Sequence, residues 1–368
     1  MRTILYIVLF FHSVFHLLGF LKAFDLVKLD QLTTFISRKK GVMWLVASVL
    51  FFVTIILMVL NLDIWIPVSV VAIIISQYLI ITTWHDSKNG TLINLLFLAI
   101  VIVGWGKVSF HKRYVNEIES AMRATESSGV SNLEESDLVN LPEPIRKYIA
   151  YTGCIGKPKV YNFKINFDGK IRKNNESEWM PFSSEQYNFL GNTTRLFFMN
   201  ATMMKLPVAG FHCFKNGDAF MDIRLLSLFK VQYQSGREMD IAETVTFFND
   251  MCCMAPATLI DKRIEWKYSE GDSVFAKFTN NGITIEAVLI FNKVGELTNF
   301  ISDDRFATAD AGQMRKIPWS TPLKNYKSVD GFKLATDAET IYAYPDSELV
   351  YGTFQLKGIK YNSNRMER

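Results

Sequence analysis

Cysteine and histidine are scarce in this chain. Its 368 residues include five histidines, of which only His212 lies beyond residue 111. No CxxC or Cys/His ligand spacing connects the four cysteines, which are Cys154, Cys213, Cys252 and Cys253. The sequence therefore excludes a disulfide framework and gives no support for a structural zinc site. A single histidine in the C-terminal part also leaves few candidates for general base catalysis.

Motifs of the common enzyme classes are absent as well. The sequence has no GxSxG nucleophile elbow, no Walker phosphate loop, no HExxH zinc motif and no GxGxxG dinucleotide fingerprint. These absences favour a binding protein over an enzyme. We expect no cofactor.

An excess of one charge sign is missing from most of the chain. Residues 1–110 hold eight Lys/Arg and four Asp/Glu, which leaves 32 of each sign for residues 111–368. Proteins that bind nucleic acid neutralise phosphates with a basic surface. The balanced composition therefore argues against nucleic-acid binding.

Long apolar runs are absent after residue 110, but four precede it. They cover Ile4–Leu21, Val42–Leu60, Ile64–Thr83 and Leu92–Val108. A helical run of about 17–20 residues crosses a hydrocarbon core of roughly 30 Å. The sequence thus predicts a four-helix transmembrane module over residues 1–110. The first span is interpreted as a retained helix, because no small-x-small cleavage site follows it.

The distribution of basic residues predicts the orientation of this module. Six Lys/Arg fall in the first and third connections, including the Arg38-Lys39-Lys40 cluster, and four fall on the opposite side. Basic residues favour the cytoplasmic side of a membrane. We therefore expect an integral plasma-membrane protein with both termini and the soluble domain outside the cytoplasm.

Polar residues interrupt the predicted spans. His12 and His16 lie four residues apart on one face of the first span, and Gln77 of the third span lies at a similar depth to His16. One interpretation is interhelical hydrogen bonding that holds the helices together. The other is a metal or redox site around His12 and His16. We favour the first interpretation, because the pattern offers no clear third ligand.

The sequence pattern changes after residue 110. Residues 111–140 are charged and helix-compatible, and we interpret them as a linker or stalk. Residues 141–368 open with a short helix and continue with alternating segments, such as Tyr161–Phe167 and Ile283–Leu289, between glycine turns. This pattern predicts about eight to eleven strands. The predicted fold class is a membrane α module followed by an α+β domain with a mainly antiparallel curved sheet and one or two packed helices.

One longer helix is predicted within the strand region. It runs from Asp240 to about Met254, and its polar face presents Glu243, Thr246 and Asp250. A sheet with one face covered by a helix leaves a concave side that a ligand can fill. The chain's 29 Phe, 14 Tyr and 7 Trp fit a wide apolar interior. Half-buried strands also favour aromatic residues without any cavity.

Carboxylates offer the main route to catalysis that the sequence suggests. Glu243 would act with Asp303 or Asp304, because two suitably spaced carboxylates support acid/base hydrolysis. The structural interpretation makes Asp303–Arg305 an ion pair at a sheet edge. The missing motifs favour the structural interpretation.

Short characteristic segments occur along nearly the whole chain. In residues 1–110 they are His16–Phe24, Asp30–Thr33, Ile36–Arg38 and Trp84–Thr91. In the remainder they are Leu141–Arg146, Trp179–Gln186, Asp303–Arg305, Pro318–Trp319, Tyr326, Asp330–Gly331 and Glu339. Together they resemble an uncharacterised bacterial family of four-helix membrane proteins with a C-terminal β-rich domain of unknown function. The resemblance implies no activity. The soluble part also looks like the half-barrels of periplasmic lipoprotein carriers.

These observations predict a membrane-anchored binding protein that holds a lipid or another apolar ligand in a half-barrel, with a role in envelope lipid or lipoprotein handling. The aromatic residues expected to line the cavity, and the charged residues expected at its mouth, are Phe163, Phe167, Trp179, Phe197, Trp266, Glu243 and Arg305. The alternatives are the carboxylate-dependent hydrolase and a four-helix redox or metal module with a sensor domain. The membrane and an apolar small molecule are the expected partners, and the sequence identifies no protein partner.

Overall fold

The protein is described by a computed structural model that covers residues 2–29, 32–125, 131–308 and 313–366. Its internal contacts divide the chain into two units, Met1–Phe110 and His111–Arg368. The segment Asp30–Gln31, quoted above for the family resemblance, lies outside the described residues.

Four of the described helices are long and apolar enough to cross a membrane. They are α1 (Arg2–Ala23), α2 (Arg38–Val59), α3 (Trp65–Thr82) and α5 (Gly90–Ala124), with the single turn α4 (Trp84–Ser87) before α5. This result confirms the four predicted apolar helices. Side chains such as Ile74 and Leu92 are exposed, as expected for helices whose outer faces contact lipid.

A carboxylate joins two of the connections between these helices. Asp86 of α4 accepts hydrogen bonds from Thr33 Oγ1 and from the Thr34 backbone N–H, both at 2.7 Å. These bonds lower the pKa of the Asp86 carboxyl, because they favour its charged form. The α1–α2 connection and α4 are thereby held together.

The second unit is built around one antiparallel sheet, which contains thirteen of the strands described. In chain order these strands are β1 (Asn162–Ile171), β2 (Met180–Phe189), β3 (Thr194–Met203), β4 (Leu206–Lys215), β5 (Asp218–Leu225), β6 (Phe229–Ser235), β7 (Ile264–Glu270), β8 (Ser273–Asn280), β9 (Ile283–Phe291), β10 (Leu297–Ser302), β13 (Trp319–Val329), β14 (Phe332–Tyr344) and β15 (Ser347–Tyr361). Two short strands, β11 (Phe306–Thr308) and β12 (Met314–Lys316), pair separately.

The strand order leaves the sheet open. It runs β6-β5-β4-β3-β2-β1-β15-β14-β13-β10-β9-β8-β7, so β6 and β7 form the two edges. The first and last strands pair at the centre, with Phe163 opposite Tyr361. The predicted antiparallel fold class is confirmed, with more strands than expected. The half-barrel is therefore an open sheet rather than a closed barrel.

Hairpin turns link most neighbouring strands. At the turn between β8 and β9, Asn281 has φ 47° and Gly282 has φ 74°. Two successive residues with positive φ form the tight turn that matches the twist of a β-hairpin, and Asn-Gly tolerates this conformation best. The predicted turn at Asn281-Gly282 is confirmed.

Helix α7 (Arg237–Met254) joins the two edges of the sheet and lies against strands of both halves, including β5, β9 and β14. Its Phe247 and Phe248 are fully buried, and Phe248 stacks on Phe278 of β8 with ring centroids 5.0 Å apart. The shorter α6 (Glu143–Tyr151) contributes Tyr148, whose hydroxyl donates to the Cys252 carbonyl at 2.9 Å. These contacts place the core between the helices and the inner face of the sheet.

The opposite face of β3 and β4 is covered by the end of α5. Tyr114 and Ile118 are fully buried, and the Tyr114 ring contacts Phe198 and Phe211 at centroid distances of 5.2 and 5.5 Å. Arg113 pairs with Asp222 of β5 at 3.0 Å. Residues 111–124, which belong to the segment interpreted from the sequence as a linker or stalk, therefore pack on the sheet. The physical reason is that two outward phenylalanines need cover from water.

Candidate functional site

A cavity of about 390 Å³ lies between α7 and the inner face of the sheet. Much of its wall is apolar, as at Phe197, Met199, Leu349 and Phe354. Pockets that bind small molecules enclose about 300–1,000 Å³ and combine an apolar wall with few polar groups. The cavity has the size and composition of such a pocket.

A buried ionic cluster forms part of the cavity wall. Its centre is Arg195 of β3, whose guanidinium uses all three of its nitrogens. Nε donates to Asp250 Oδ2 at 2.7 Å, Nη1 donates to Glu243 Oε2 at 3.0 Å, and Nη2 donates to Gln186 Oε1 at 3.0 Å. The side chain of Arg195 is 8% exposed and that of Glu243 is 1% exposed. Buried charges are tolerated when they are paired and hydrogen-bonded in this way.

The two carboxylates of the cluster respond differently to burial. Burial raises the pKa of Glu243, but Arg195 and His212 outweigh it and lower the pKa to about 2. Burial dominates at Asp250 and raises its pKa, although Arg195, Asn188 and Gln186 oppose the shift. Glu243 is therefore firmly ionised at neutral pH, whereas Asp250 takes up a proton more readily.

Three polar residues complete the cluster. Gln186 and Asn188 of β2 donate to Asp250 Oδ2 at 2.7 and 3.1 Å. His212 of β4 places Nδ1 3.6 Å from Glu243 Oε1. Strand alternation explains this convergence, because residues two apart on a strand point to the same face.

Some of the predicted ligand-binding residues line the cavity. These are Phe167, Phe197, Glu243 and Arg305, and their role in ligand binding stays a prediction.

The structure places the other three elsewhere. Phe163 is fully buried in the core against Tyr361. Trp179 lies under the Arg172 guanidinium, 4.5 Å from it, and is 36% exposed. Trp266 sits on the edge strand β7 and packs on the core. Alternation correctly predicts the inner face, but position along the strand decides whether a residue reaches the cavity or the core.

The carboxylates proposed for hydrolysis are not brought together. Asp304 pairs with Lys316 at 2.6 Å and accepts from the Glu286 backbone N–H at 2.7 Å. Asp303 is exposed, and neither residue is among the described residues of the cavity wall. Glu243 instead pairs with Arg195, which also binds Asp250. The predicted pair of Glu243 with Asp303 or Asp304 is therefore not present, because the Asp303–Arg305 turn directs only Arg305 inward.

Sequence reasoning missed the centre of the cluster. Our sequence predictions do not include Arg195, and they assign His212 no place in a binding site. The sequence does contain a signal for Arg195, because this arginine directly precedes the apolar run Leu196–Met199. A lone charge in a buried strand requires a partner, although the sequence does not say which one.

A second polar network lies inside the first unit. Asn94 of α5 shares hydrogen bonds with His12 Nε2 at 3.1 Å, with Ser76 at 2.9 Å and with Gln77 Oε1 at 3.0 Å. His16 contacts Ser76 Oγ through Nε2 at 2.7 Å. His12 and His16 thus bind neighbouring helices through neutral partners. Within the described ranges, no group of three His, Cys, Asp or Glu side chains is arranged to hold a metal ion.

Comparisons with solved structures identify similar arrangements of the β-rich unit. A LolA superfamily protein from Nitrosomonas europaea is 11% identical, with a TM-score of 0.35, over 60% of this chain and 92% of its own. A DUF1329 family protein from Desulfovibrio piger is 8% identical, with a TM-score of 0.35, over the same shares. A domain described as an outer membrane lipoprotein-sorting protein, from Vibrio parahaemolyticus, is 7% identical, with a TM-score of 0.33, over 56% of this chain and 87% of its own. At these TM-scores the likeness is one of general shape.

No curated protein matches the chain. A family match does cover most of the β-rich unit. Residues 131–354, more than half of the chain, match a family of unknown function. The chain, with its four apolar helices and open antiparallel sheet, is a member of the DUF6544 family.

Proposed function

We propose that this protein is a membrane-anchored binding protein, which holds a lipid or another apolar ligand in the cavity of its half-barrel. The ligand would contact Phe167 and Phe197 along the apolar wall, and the charged residues would meet its polar end. A tether to the bilayer keeps the local concentration of a membrane-derived ligand high. We also propose that the domain works outside the cytoplasm, in envelope lipid or lipoprotein handling.

The observation that supports this proposal most directly is the cavity itself. It has about 390 Å³ of space beside an apolar wall, in a domain whose core is otherwise densely filled with aromatic side chains. Protein interiors are close-packed, and unfilled apolar space costs stability. An apolar ligand would recover that cost.

The experiment fills the cavity from inside. Thr246 lies on the cavity side of α7, so Thr246→Trp places an indole ring in the space that the ligand would occupy. Glu238→Trp adds the same ring to the exposed side of the same helix and serves as the matched control. The full chain would be purified in a non-ionic detergent, and its bound lipids would be counted by native mass spectrometry.

We expect Thr246→Trp to lose the tightly bound ligand and Glu238→Trp to retain it. The two variants can be compared directly, because both keep the same apolar helices and therefore the same background of annular lipid. Met221→Trp, on the sheet side of the cavity, is a second filling variant if Thr246→Trp folds poorly. Equal ligand content in folded wild type and folded filling variants would contradict the proposal. Trp266→Lys, away from the cavity, should also leave the ligand in place.

A further inference from the structure

The two arginines of the cavity wall, Arg195 and Arg305, differ in how their hydrogen-bond donors are used. Arg195 spends its three guanidinium nitrogens on Asp250, Glu243 and Gln186. Arg305 lies between β10 and β11 and also lines the cavity. Its Nε is buried and has no hydrogen-bond partner among the residues described. The protein thus supplies an acceptor for every guanidinium nitrogen of Arg195, whereas its described residues supply none for Nε of Arg305.

No acidic side chain of the described residues lies within ion-pair distance of Arg305. None of the ion pairs found in the described ranges includes it, and the adjacent Asp304 is engaged with Lys316. Burial disfavours its charge, but Tyr342, Tyr351 and Glu243 outweigh this effect and raise the pKa of Arg305. The guanidinium therefore stays charged at neutral pH while part of its donor capacity is free. A buried donor left unsatisfied is costly, which indicates a missing acceptor.

Aromatic residues orient Arg305 and supply a second donor. Its Cζ lies 5.5 Å from the centroid of the Trp319 ring. Trp319 Nε1 donates to the Tyr351 hydroxyl oxygen at 3.0 Å, which leaves the Tyr351 hydroxyl hydrogen to donate elsewhere. Tyr342 stacks on Tyr351 with centroids 4.7 Å apart and holds it in position. All four side chains line the cavity.

The charge of the cavity wall has the same sign as Arg305. Its described lining carries four basic side chains, Arg172, Lys173, Arg195 and Arg305, against two acidic ones, Glu243 and Asp250. Counting the Lys, Arg, Asp and Glu side chains, this leaves an excess of two positive charges, in a domain whose overall charge is balanced. An anion would be attracted by this excess.

We infer that Arg305 and Tyr351 bind the anionic group, a carboxylate or a phosphate, of an amphipathic ligand whose apolar part occupies the cavity. This inference rests on the proposed function and specifies the class of its ligand. Guanidinium groups bind both anions through paired N–H donors. A free fatty acid and a phosphate-headed lipid are the two sources of such a group.

The test compares ligands that differ only in their charged end. The delipidated full chain in a non-ionic detergent would be titrated with a fluorescent fatty acid, its methyl ester and an alkyl phosphate of the same chain length. We expect at least one of the two anions to bind about 10- to 100-fold more tightly than the ester, the range for hydrogen bonds to a charged group. The anion whose affinity exceeds that of the ester by the larger factor shows whether the ligand is a fatty acid or a phosphate-headed lipid.

Variants then assign the preference to Arg305. Arg305→Gln should abolish the difference between anion and ester, and Tyr351→Phe should reduce it while keeping the ring. Arg315→Gln removes an exposed arginine from the adjacent β11–β12 hairpin and should leave it unchanged. If Arg305→Gln folds poorly, Arg305→Lys, which keeps the charge but not the paired donors, should weaken anion binding.

The outcomes separate this inference from the proposed function. Equal binding of acid, phosphate and ester by the wild type would overturn the anion site and leave the apolar-ligand function standing. A preference for anions that persists in Arg305→Gln would also overturn the assignment. No binding of any probe, together with no co-purifying lipid, would overturn both.

Discussion

The two units of this protein bury polar side chains in different ways. Among the four long apolar helices, Asn94 shares hydrogen bonds with His12, Ser76 and Gln77, and the described members of this network include no carboxylate or guanidinium. Inside the β-rich unit, Arg195 connects Glu243 and Asp250, both of which are buried. Each network has one central residue, but the first is built from amides, hydroxyls and imidazoles and the second from ions.

The surrounding solvent explains this difference. A charged residue on a membrane helix is expensive in hydrocarbon, whereas a neutral polar residue costs less and finds partners on neighbouring helices. A soluble domain buries opposite charges together as it folds, so their attraction and hydrogen bonds offset the loss of water. We therefore expect the ionic cluster to lose much of its stability when any one partner is removed. We expect the neutral network to tolerate the loss of one partner.

The largest effect is expected from removing the centre of the ionic cluster. Arg195→Met leaves Glu243 and Asp250 buried without their shared cation, which should lower the free energy of unfolding of the β-rich unit by about 3–5 kcal/mol. Denaturant unfolding of the full chain in detergent, followed by tryptophan fluorescence, measures this value. Lys324→Met, at the exposed pair with Glu339, is the control and should change it by less than about 1 kcal/mol. A similar decrease in the free energy of unfolding in both variants would contradict the special dependence of the β-rich unit on Arg195.

The next effect is a pH dependence of the ionic cluster. The folded-state pKa of Glu243 is about 2 against an ordinary value of 4.5, so its ionisation contributes stability above pH 4.5. That contribution, about 3 kcal/mol by linkage, is lost as pH falls from 4.5 through the folded value. We expect wild type to exceed Glu243→Gln in stability at pH 7, and the gap to narrow as pH falls below 4.5.

Thermal unfolding of both proteins at a series of pH values tests this expectation. The difference in stability between the two proteins at each pH removes the contribution of the carboxylates that titrate in both. A gap that stays constant between pH 7 and pH 3 would show that Glu243 does not titrate with a depressed pKa. The stability of the neutral network around Asn94 should not depend on Glu243 over the same pH range.

The smallest effect is expected in the membrane network. Asn94→Leu removes the shared partner of His12, Ser76 and Gln77, but polar groups in membrane helices find substitutes, so the loss should be about 1 kcal/mol. Unfolding of the full chain in mixed micelles with increasing dodecyl sulfate measures it. Leu96→Ile, at a position 54% exposed, is the matched control on the same helix and should have no effect. A loss equal to that of Arg195→Met would mean that both networks depend on their centres to the same degree.

Local sequence signals predicted much of the architecture. Long apolar runs predicted the membrane helices, because crossing a bilayer requires length and hydropathy that no other element shows. The periodicity and the stop at Pro256 predicted α7 and a polar face with Glu243, Thr246 and Asp250, and the structure places these three residues in the cavity wall. Asn281-Gly282 predicted a hairpin turn because of its backbone conformation. Each of these signals depends on residues close together in the chain.

Other features gave no local signal. The first six residues of strand β3 are all buried, because the end of α5 covers one face and the cavity side covers the other. Its sequence therefore lacks the polar alternation that marks a half-exposed strand. The sequence pattern around β3 was not typical of a half-exposed strand, because a helix that precedes the sheet by many residues covers its outer face.

The sequence by itself determined the four long apolar helices, the antiparallel class of the β-rich unit, the position of α7 and several turns, since hydropathy and backbone preference act within a few residues. The tertiary structure alone decided which charges meet. Arg195 reaches Asp250 across 55 residues of chain, and β1 pairs with β15 from the other end of the domain. Arg305 turns inward while Asp303 and Asp304 do not. Such choices depend on strand order and on the competition of all buried groups for partners, which no local pattern encodes.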